Sequence, residues 1–179
     1  PYEYNKVLFI KKVSNLYQLR DQLQMDKQDN QNIADLQPLT PEIVLDLWSK
    51  TYNTSGKPDW SHIFPYYHEE IIFQDTIQKV VGKKDFIDMC NRLTKRCEEL
   101  QMKIFSIAAN DSQIFMEWEM TMIFRKTPST SLFGCTKLTI GADGRITHQR
   151  DYYDLWGDIF VNVPVMKKIY PRFMKRVFG

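Results

Sequence analysis

A change of period in the second half of the chain constrains the fold most. Apolar residues recur at spacings of three and four between residues 83 and 100, which predicts a long amphipathic helix there. The pattern then alternates, and it predicts strands at residues 103–109, 113–126, 131–140 and 145–153. The breaks between these strands contain Asn, Asp, Pro and Gly, which favour turns. A helix followed by an antiparallel meander predicts an α+β domain with helices on one face of the sheet.

The region before the long helix contains the signals of two further helices and a strand. Thr40 suits the N-cap, and Pro41 the first position, of a helix that continues to Tyr52. A short helix at residues 60–67 and a strand at residues 70–75 are predicted to follow, the strand because it is rich in residues with high β-propensity. The domain is therefore expected to have three helices before its meander.

The charge and the cysteines argue against several classes of protein. The net charge is only +2 and Lys and Arg are scattered along the chain, whereas nucleic-acid-binding domains usually have a clustered basic face. Cys90 and Cys97 fall two turns apart on the predicted helix, roughly 10 Å along its axis, which is too far for a disulfide. Free thiols indicate a reducing compartment, so we expect a cytoplasmic protein. Because the basic residues are scattered, we expect no nucleic-acid partner.

The sequence also lacks the motifs of several enzyme classes. It has no G-x-G-x-x-G, no complete P-loop and no G-x-S-x-G elbow, which argues against nucleotide-dependent and serine-hydrolase chemistry. His62 and His68 do not form the H-E-x-x-H zinc pattern, so no metal site is predicted. No stretch approaches the roughly 20 apolar residues of a membrane span.

Three regions are predicted along the chain. Residues 1–38 have the pattern of a helix followed by a polar linker, residues 39–160 form the α+β domain, and residues 161–179 are a basic amphipathic tail. Pro164 and Pro171 interrupt the pattern of the tail. Packing of its apolar side on the domain is the favoured interpretation, and contact with an anionic membrane surface is the alternative.

The order of the predicted elements resembles the nuclear transport factor 2 superfamily, in the branch of SnoaL-like polyketide cyclases, ketosteroid isomerases and limonene epoxide hydrolases. The residues that carry the resemblance are Tyr-His-Glu-Glu-Ile-Ile-Phe-Gln-Asp at 67–75, Gly82, and Asp-Gly-Arg-Ile-Thr-His-Gln-Arg-Asp-Tyr-Tyr-Asp at 143–154. It covers roughly residues 40–160. The resemblance implies a cone-shaped α+β barrel, with three helices packed on a strongly curved, mostly antiparallel sheet that encloses a pocket for a small apolar molecule. It also implies a homodimer formed through the sheet.

Asp151 is the first candidate catalytic residue. An aspartate at the matching place is the catalytic acid or base in the cyclases and epoxide hydrolases that the chain resembles. A carboxylate in an apolar cavity loses hydration, so its pKa rises and proton transfer near neutral pH becomes feasible. Strand alternation places Gln149, Asp151 and Tyr153 on one face of the last strand. The alternative is an aspartate that is hydrogen-bonded at a strand end for the sake of the fold alone.

Asp75 is the second candidate. The resemblance places it where ketosteroid isomerase holds its general base, and its side chain should share a face with Phe73. The alternative is a turn residue that binds its own backbone, since Asp is common in turns. The sequence also departs from the families that it resembles, so no single reaction can be transferred to it. Phe73 replaces a water-positioning tyrosine of the epoxide hydrolases. Tyr52 lies only near the first oxyanion position of the isomerases, and Thr136 falls at the second.

Four aromatic residues are further candidates for the pocket wall, namely Trp48, Tyr52, Trp118 and Tyr153, although aromatics at such spacings are more often core residues. The leading hypothesis is an enzyme that needs no cofactor and catalyses proton transfer on a small apolar substrate, by isomerisation, cyclisation or hydration, with Asp151 and Asp75 as acid and base. The alternative is a non-catalytic ligand-binding or protein-interaction domain of the same fold, because a fold does not determine a function.

Overall fold

A computed structural model describes residues 20, 36–52, 58–124, 127–159 and 163–179. Residues 38–179 form one compact unit, to which the following description is confined. The helix and linker predicted for residues 1–38 lie almost wholly outside the described residues and stay a prediction.

The described part of this unit contains three α-helices and six strands. The helices are α1 (Pro41–Tyr52), α2 (Lys83–Arg96) and α3 (Pro164–Phe178). The strands are β1 (Tyr67–Gln74), β2 (Lys79–Val81), β3 (Cys97–Asn110), β4 (Gln113–Phe124), β5 (Thr127–Ile140) and β6 (Ile146–Tyr153). A 3-10 turn at Phe64–Tyr66 precedes β1, and a π-helical turn at Leu155–Ile159 follows β6.

All six strands form one sheet in the order β2-β1-β6-β5-β4-β3. The pairing of β1 with β6 is parallel, and the other four pairings are antiparallel. The α+β fold with a mostly antiparallel sheet is therefore confirmed. The sheet is open rather than closed into a barrel, because its edge strands β2 and β3 are not paired with each other.

The core lies where α1 and α2 cover the sheet. α1 buries Val44 and Trp48 and packs on β3, while α2 packs on β1. The Phe86 ring of α2 lies with its centroid 4.5 Å from that of Tyr67 and 5.5 Å from that of Phe73. Such aromatic contacts add to the burial of apolar area, so they fix the position of α2 over the first strand.

The boundary between α2 and β3 differs from the prediction. The helix ends at Arg96, and Cys97 is already the first residue of β3, where it pairs with Phe124. Cys97 and Leu100, the last two residues of the apolar stripe that suggested a helix to Leu100, instead pair with β4, with a register shift between Cys97 and Glu99. Cys90 and Cys97 consequently do not share a helix, and all three cysteines are unpaired.

Other boundaries differ in smaller ways. The short helix expected at residues 60–67 is only the 3-10 turn at Phe64–Tyr66, and β1 begins at Tyr67. The three-residue strand β2 was not predicted. Pro128, expected in a turn, lies inside β5. α3 continues through Pro171, which leaves the carbonyl of the residue four positions earlier without its helical donor.

Candidate functional site

A pocket of about 440 Å³ lies between α1, α2 and the sheet. This volume falls within the range of roughly 300–1,000 Å³ that is typical of small-molecule sites. Most of its wall is apolar. Aromatic side chains come from both helices, from the sheet and from the segment before the 3-10 turn, among them Trp48, Phe86, Phe73, Trp118 and Trp60.

Methionines make up a second part of the wall. Met120 and Met122 follow Trp118 on the inward face of β4, and Met102 of β3 and Met89 of α2 also line the pocket. The unbranched, polarisable methionine side chain adapts to irregular shapes. The pocket can therefore adjust to apolar ligands of more than one outline.

Asp151 lies on β6 directly opposite Thr136 of β5. Its Oδ1 accepts hydrogen bonds from the Thr136 hydroxyl at 2.7 Å and from Gln149 Nε2 at 3.1 Å, and its Oδ2 accepts one from Gln149 Nε2 at 3.2 Å. The part of the side chain that is not buried faces the pocket. Oδ1 accepts two of these hydrogen bonds and Oδ2 only one, so Oδ2 has more acceptor capacity left for a ligand.

Burial raises the pKa of Asp151 to about 6. The hydrogen bonds from Thr136 and Gln149 oppose this rise, because they favour the ionised form, and the charge of Asp75 adds to it. No ion pair in the described part of the chain joins Asp151 to a Lys or Arg. Desolvation by the apolar wall is therefore the dominant influence on this carboxyl.

The two residues that hold Asp151 are themselves held by donors. Trp118 Nε1 donates to the Thr136 hydroxyl at 2.9 Å, and the Tyr67 hydroxyl donates to Gln149 Oε1 at 2.6 Å. Because the Thr136 oxygen already accepts from the indole, its own proton is directed to Asp151. The tyrosine on Oε1 likewise turns the amide nitrogen of Gln149 towards the carboxylate.

Asp75 lies at the end of β1 and has two kinds of contact. Its Oδ1 accepts from the backbone N–H groups of Ile77 and Gln78 at 2.8 and 2.7 Å, while its Oδ2 accepts from the Tyr153 hydroxyl at 3.2 Å. One oxygen therefore completes a turn and the other faces the pocket. Burial raises the pKa of Tyr153, and the charge of Asp75 raises it further, so the phenol keeps its proton.

The structure brings nearly all the predicted site residues together around this pocket. Asp151, Asp75, Trp48, Phe73, Trp118, Thr136, Gln149 and Tyr153 all line it. The side chain of Tyr52, at the end of α1, lies outside the described part of the structure. Their assignment as catalytic or substrate-binding residues remains a prediction.

Gly134 packs directly behind the pocket wall, and the sequence did not predict this contact. It pairs with Trp118 across β4 and β5, and a Cβ there would lie 2.5 Å from the indole ring and 2.7 Å from the Tyr152 carbonyl oxygen. The indole occupies the space that a side chain would need. A glycine inside a predicted strand is the signal that could have indicated such a close approach.

Tyr67 and the pocket-lining residues of α2 were also not predicted as site residues. Cys90 lines the pocket, and burial together with the charge of Asp151 raises the pKa of its thiol to about 12, so the thiol is not a nucleophile at neutral pH. Arg92 and Arg96 are exposed and line the pocket from the last turns of α2. Their guanidinium groups place positive charge at its rim.

Two further observations concern metals and membranes. Among the described residues there is no cluster of three or more His, Cys, Asp or Glu side chains able to hold a metal ion. In the same residues, no helix combines the length and the apolar character needed to cross a membrane.

Comparison with known proteins places the chain in a family. The family model of the SnoaL-like domain matches residues 48–149. None of the curated proteins matches the chain in sequence.

Solved structures show the same fold at low sequence identity. An epoxide hydrolase of limonene-epoxide-hydrolase type from M. tuberculosis is 18% identical, with a TM-score of 0.54, over 70% of this chain and 94% of its own. A protein from Jannaschia sp. CCS1, provisionally identified as a SnoaL-like polyketide cyclase, is 16% identical, with a TM-score of 0.56, over 72% and 97%.

A third structure, a nuclear transport factor 2-like protein of unknown function from Exiguobacterium sp. 255-15, is 14% identical, with a TM-score of 0.54, over 62% of this chain and 97% of its own. The fold of the nuclear transport factor 2 superfamily is thus common to these proteins and this chain. Since the family match covers more than half of the sequence, the chain belongs to the SnoaL-like domain family.

Proposed function

We propose that this protein catalyses proton transfer on a small apolar substrate, with Asp151 as the general acid or base. The observation that carries the proposal is a carboxyl group in an apolar pocket, with its pKa raised to about 6 by burial and with neutral hydrogen-bond donors as its partners. A general acid or base works best when its pKa lies near the operating pH. Both forms of Asp151 are populated near pH 6, so it can take up a proton and return it.

Asp75 and Tyr153 form the second polar group of the proposed site. In the free protein the Tyr153 hydroxyl donates to Asp75 Oδ2, and this phenol keeps its proton. A substrate oxygen could replace Asp75 as the acceptor of that proton. Asp151 would then remove a proton from a carbon beside a carbonyl group, or from water, while Tyr153 stabilises the charge that develops on the oxygen.

Isomerisation, cyclisation and hydration all fit this arrangement, because each needs one proton removed and one delivered. The residues present require no cofactor for such a step. The wall of aromatic and methionine side chains favours a substrate with a largely apolar body.

Exchange of substrate hydrogens with solvent tests the proposal without knowledge of the product. We expect the protein to exchange α-hydrogens of cyclic ketones or lactones for deuterium in D2O, or to open epoxides, as followed by NMR. Asp151→Asn should lower the rate by roughly 10²- to 10⁴-fold, the usual contribution of a general acid or base. The matched control is Asp111→Asn, which changes an exposed carboxyl in the turn between β3 and β4.

The pH dependence of the rate tests whether Asp151 takes part in catalysis. The rate of the wild-type protein should change with an apparent pKa near 6, as Asp151 titrates. Rates for Asp151→Asn within about threefold of the wild type would contradict the proposal.

The alternative function is ligand binding without catalysis. It is favoured by the observation that both oxygens of Asp151 already accept hydrogen bonds within the protein, so the carboxyl needs no substrate to satisfy it. A protein of this kind would bind apolar fluorescent probes in the pocket but exchange no hydrogens. Probe binding that Asp151→Asn leaves unchanged, with no exchange or epoxide opening by the wild type, would favour this alternative.

A homodimer through the sheet is part of the same proposal. On the face of the sheet opposite Trp118, Phe115 is 38% and Phe133 is 55% exposed. Pairing of this face between two copies would cover both rings. The expected result is a dimer in light scattering that Phe133→Ser weakens; a wild-type monomer at micromolar concentration would contradict it.

A further inference from the structure

The last helix, α3, has one charged side and one apolar side. Its basic residues are Lys167, Lys168, Arg172, Lys175 and Arg176, and it has no acidic residue. Successive residues of an α-helix are rotated by about 100°, which places these cations on one half of the circumference. The opposite, apolar half carries Met166, Ile169, Tyr170, Phe173, Met174 and Val177, whereas Val165 and Phe178 fall between the cations. Lys167 and Arg176 fall at the two borders between the halves.

The apolar half of α3 is largely uncovered. Ile169, Phe173 and Val177, which lie in this half, are each more than 50% exposed. They span eight residue steps along the axis, or about 12 Å at 1.5 Å per residue. The favoured expectation that this side packs on the domain therefore does not describe these three residues.

Tyr170, within the apolar half of α3, contacts the rest of the domain. The Tyr170 ring stacks on Trp156 of the turn after β6, with centroids 6.3 Å apart and an interplanar angle of 15°. Trp156 is itself 51% exposed. Tyrosine and tryptophan side chains, which are apolar with one polar atom, are enriched where a protein meets the membrane–water interface.

We propose that α3 binds the surface of an anionic lipid bilayer, with its axis parallel to the membrane. The exposed apolar residues would enter the boundary between headgroups and acyl chains, and the Lys and Arg residues would lie among the headgroups. Lys167 and Arg176, at the borders, can extend their charged ends outward while their aliphatic parts stay near the lipid. This proposal is independent of the chemistry in the pocket.

The two halves of the helix together favour a membrane over other anionic partners. A nucleic acid would neutralise the basic half but leave the apolar residues in water. An acidic protein would have to supply a groove about 12 Å long for the apolar residues and negative charge along both borders. An anionic bilayer offers an apolar medium and negative charge along the whole helix at once.

Co-sedimentation of the full chain with vesicles tests this proposal. We expect the protein to bind vesicles of phosphatidylcholine with 30% phosphatidylserine at least 10-fold more strongly than vesicles of phosphatidylcholine alone. Binding should weaken as the salt concentration is raised from 50 to 500 mM, because salt screens the attraction between Lys or Arg and the headgroups.

Two variants separate the apolar and the basic contributions. Ile169→Ser with Phe173→Ser, at residues 56% and 57% exposed, should abolish binding to both kinds of vesicle. Lys168→Gln with Arg172→Gln should remove the preference for phosphatidylserine. The matched control Val81→Ser changes a residue that is 58% exposed on β2 and should leave binding unchanged. Circular dichroism checks that each variant is folded.

Several outcomes would overturn the proposal. Equal binding to the two kinds of vesicle, or anionic binding that survives the change of Ile169 and Phe173, would show that α3 is not an interfacial helix. A protein that ignores vesicles but binds double-stranded DNA or an acidic peptide would identify another partner for the basic half. Loss of a dimer on changing Ile169 and Phe173, without vesicle binding by the wild type, would assign the apolar half to a second copy of the chain.

Discussion

The pocket and the apolar half of α3 are two surfaces made of similar side chains, methionine, aromatic and branched aliphatic. In the pocket these side chains are covered by α1, α2 and the sheet, and they surround carboxyl groups. On α3 they remain exposed, and they are bordered by Lys and Arg. Periodicity therefore determines which residues share a face, whereas the neighbouring elements determine whether that face encloses a pocket or stays exposed.

Truncation of the pocket wall should have the largest effect on stability. Leu132 of β5 is 2% exposed and lines the pocket, so Leu132→Ala is expected to lower the free energy of unfolding by about 2–5 kcal/mol. Ile169→Ala on α3 should change it by less than about 0.5 kcal/mol, because the side chain is exposed. Urea denaturation measures both. Equal losses of unfolding free energy would contradict this difference between the two surfaces, because they would show that Ile169 is covered.

The pH dependence of stability should come next in size. The pKa of Asp151 is about 6 in the folded protein and about 3.9 in an unfolded chain, so between these values the folded state binds more protons. The free energy of unfolding should therefore fall as the pH rises from about 4 to 6, by up to about 3 kcal/mol from this group. Denaturation of wild type and Asp151→Asn across this range isolates the contribution.

Asp151→Asn should lose this part of the slope, and Asp111→Asn should keep it. A variant slope equal to that of the wild type would mean that Asp151 is solvated in the folded protein.

A methyl group at Gly134 tests how tightly the pocket wall is packed. Gly134→Ala is expected to cost about 1–3 kcal/mol, because the new Cβ would overlap the Trp118 ring and the Tyr152 carbonyl. It should also shift the NMR signal of the Trp118 indole N–H, which is hydrogen-bonded to Thr136. Gly144→Ala is the control: it strains a backbone with φ of 77° but has no atom within 4 Å. An unchanged indole signal in Gly134→Ala would contradict this packing.

The smallest effect is expected at Thr136. Thr136→Val removes the hydroxyl that donates to Asp151, and this donor opposes the rise in the pKa of that carboxyl. The pKa of Asp151 should therefore rise further, as measured by carboxyl NMR. Thr139→Val, three positions along β5 and on the other face, should leave it unchanged. A lower pKa in Thr136→Val would show that Asp151 is hydrated once the hydroxyl is gone.

Much of the fold could be predicted because its signals are local. The capping residues of α1 and the turn glycine Gly144, with φ of 77°, were each readable from neighbouring residues. The end of α2 could not be predicted in this way, because Cys97 and Leu100 continue the helical stripe and only their pairing with β4 makes them part of a strand.

The candidate site was predictable in its residue types but not in its connections. Alternation along β6 predicted that Gln149, Asp151 and Tyr153 share a face, and all three line the pocket. The hydrogen bond from Tyr67 to Gln149 depends on the parallel pairing of β1 with β6, which joins residues far apart in sequence. The contact of Trp118 with Gly134 likewise depends on the register of β4 and β5.

A carboxyl-carbon NMR titration of Asp151, assigned with Asp151→Asn, is the most direct test of the proposed role of this carboxyl in proton transfer. We expect an apparent pKa near 6, because the pocket removes water from Asp151 and no Lys or Arg in the described part of the chain forms an ion pair with it. A value near 3.9, that of a solvated aspartate, would contradict the proposal that this pocket holds a carboxyl able to transfer protons.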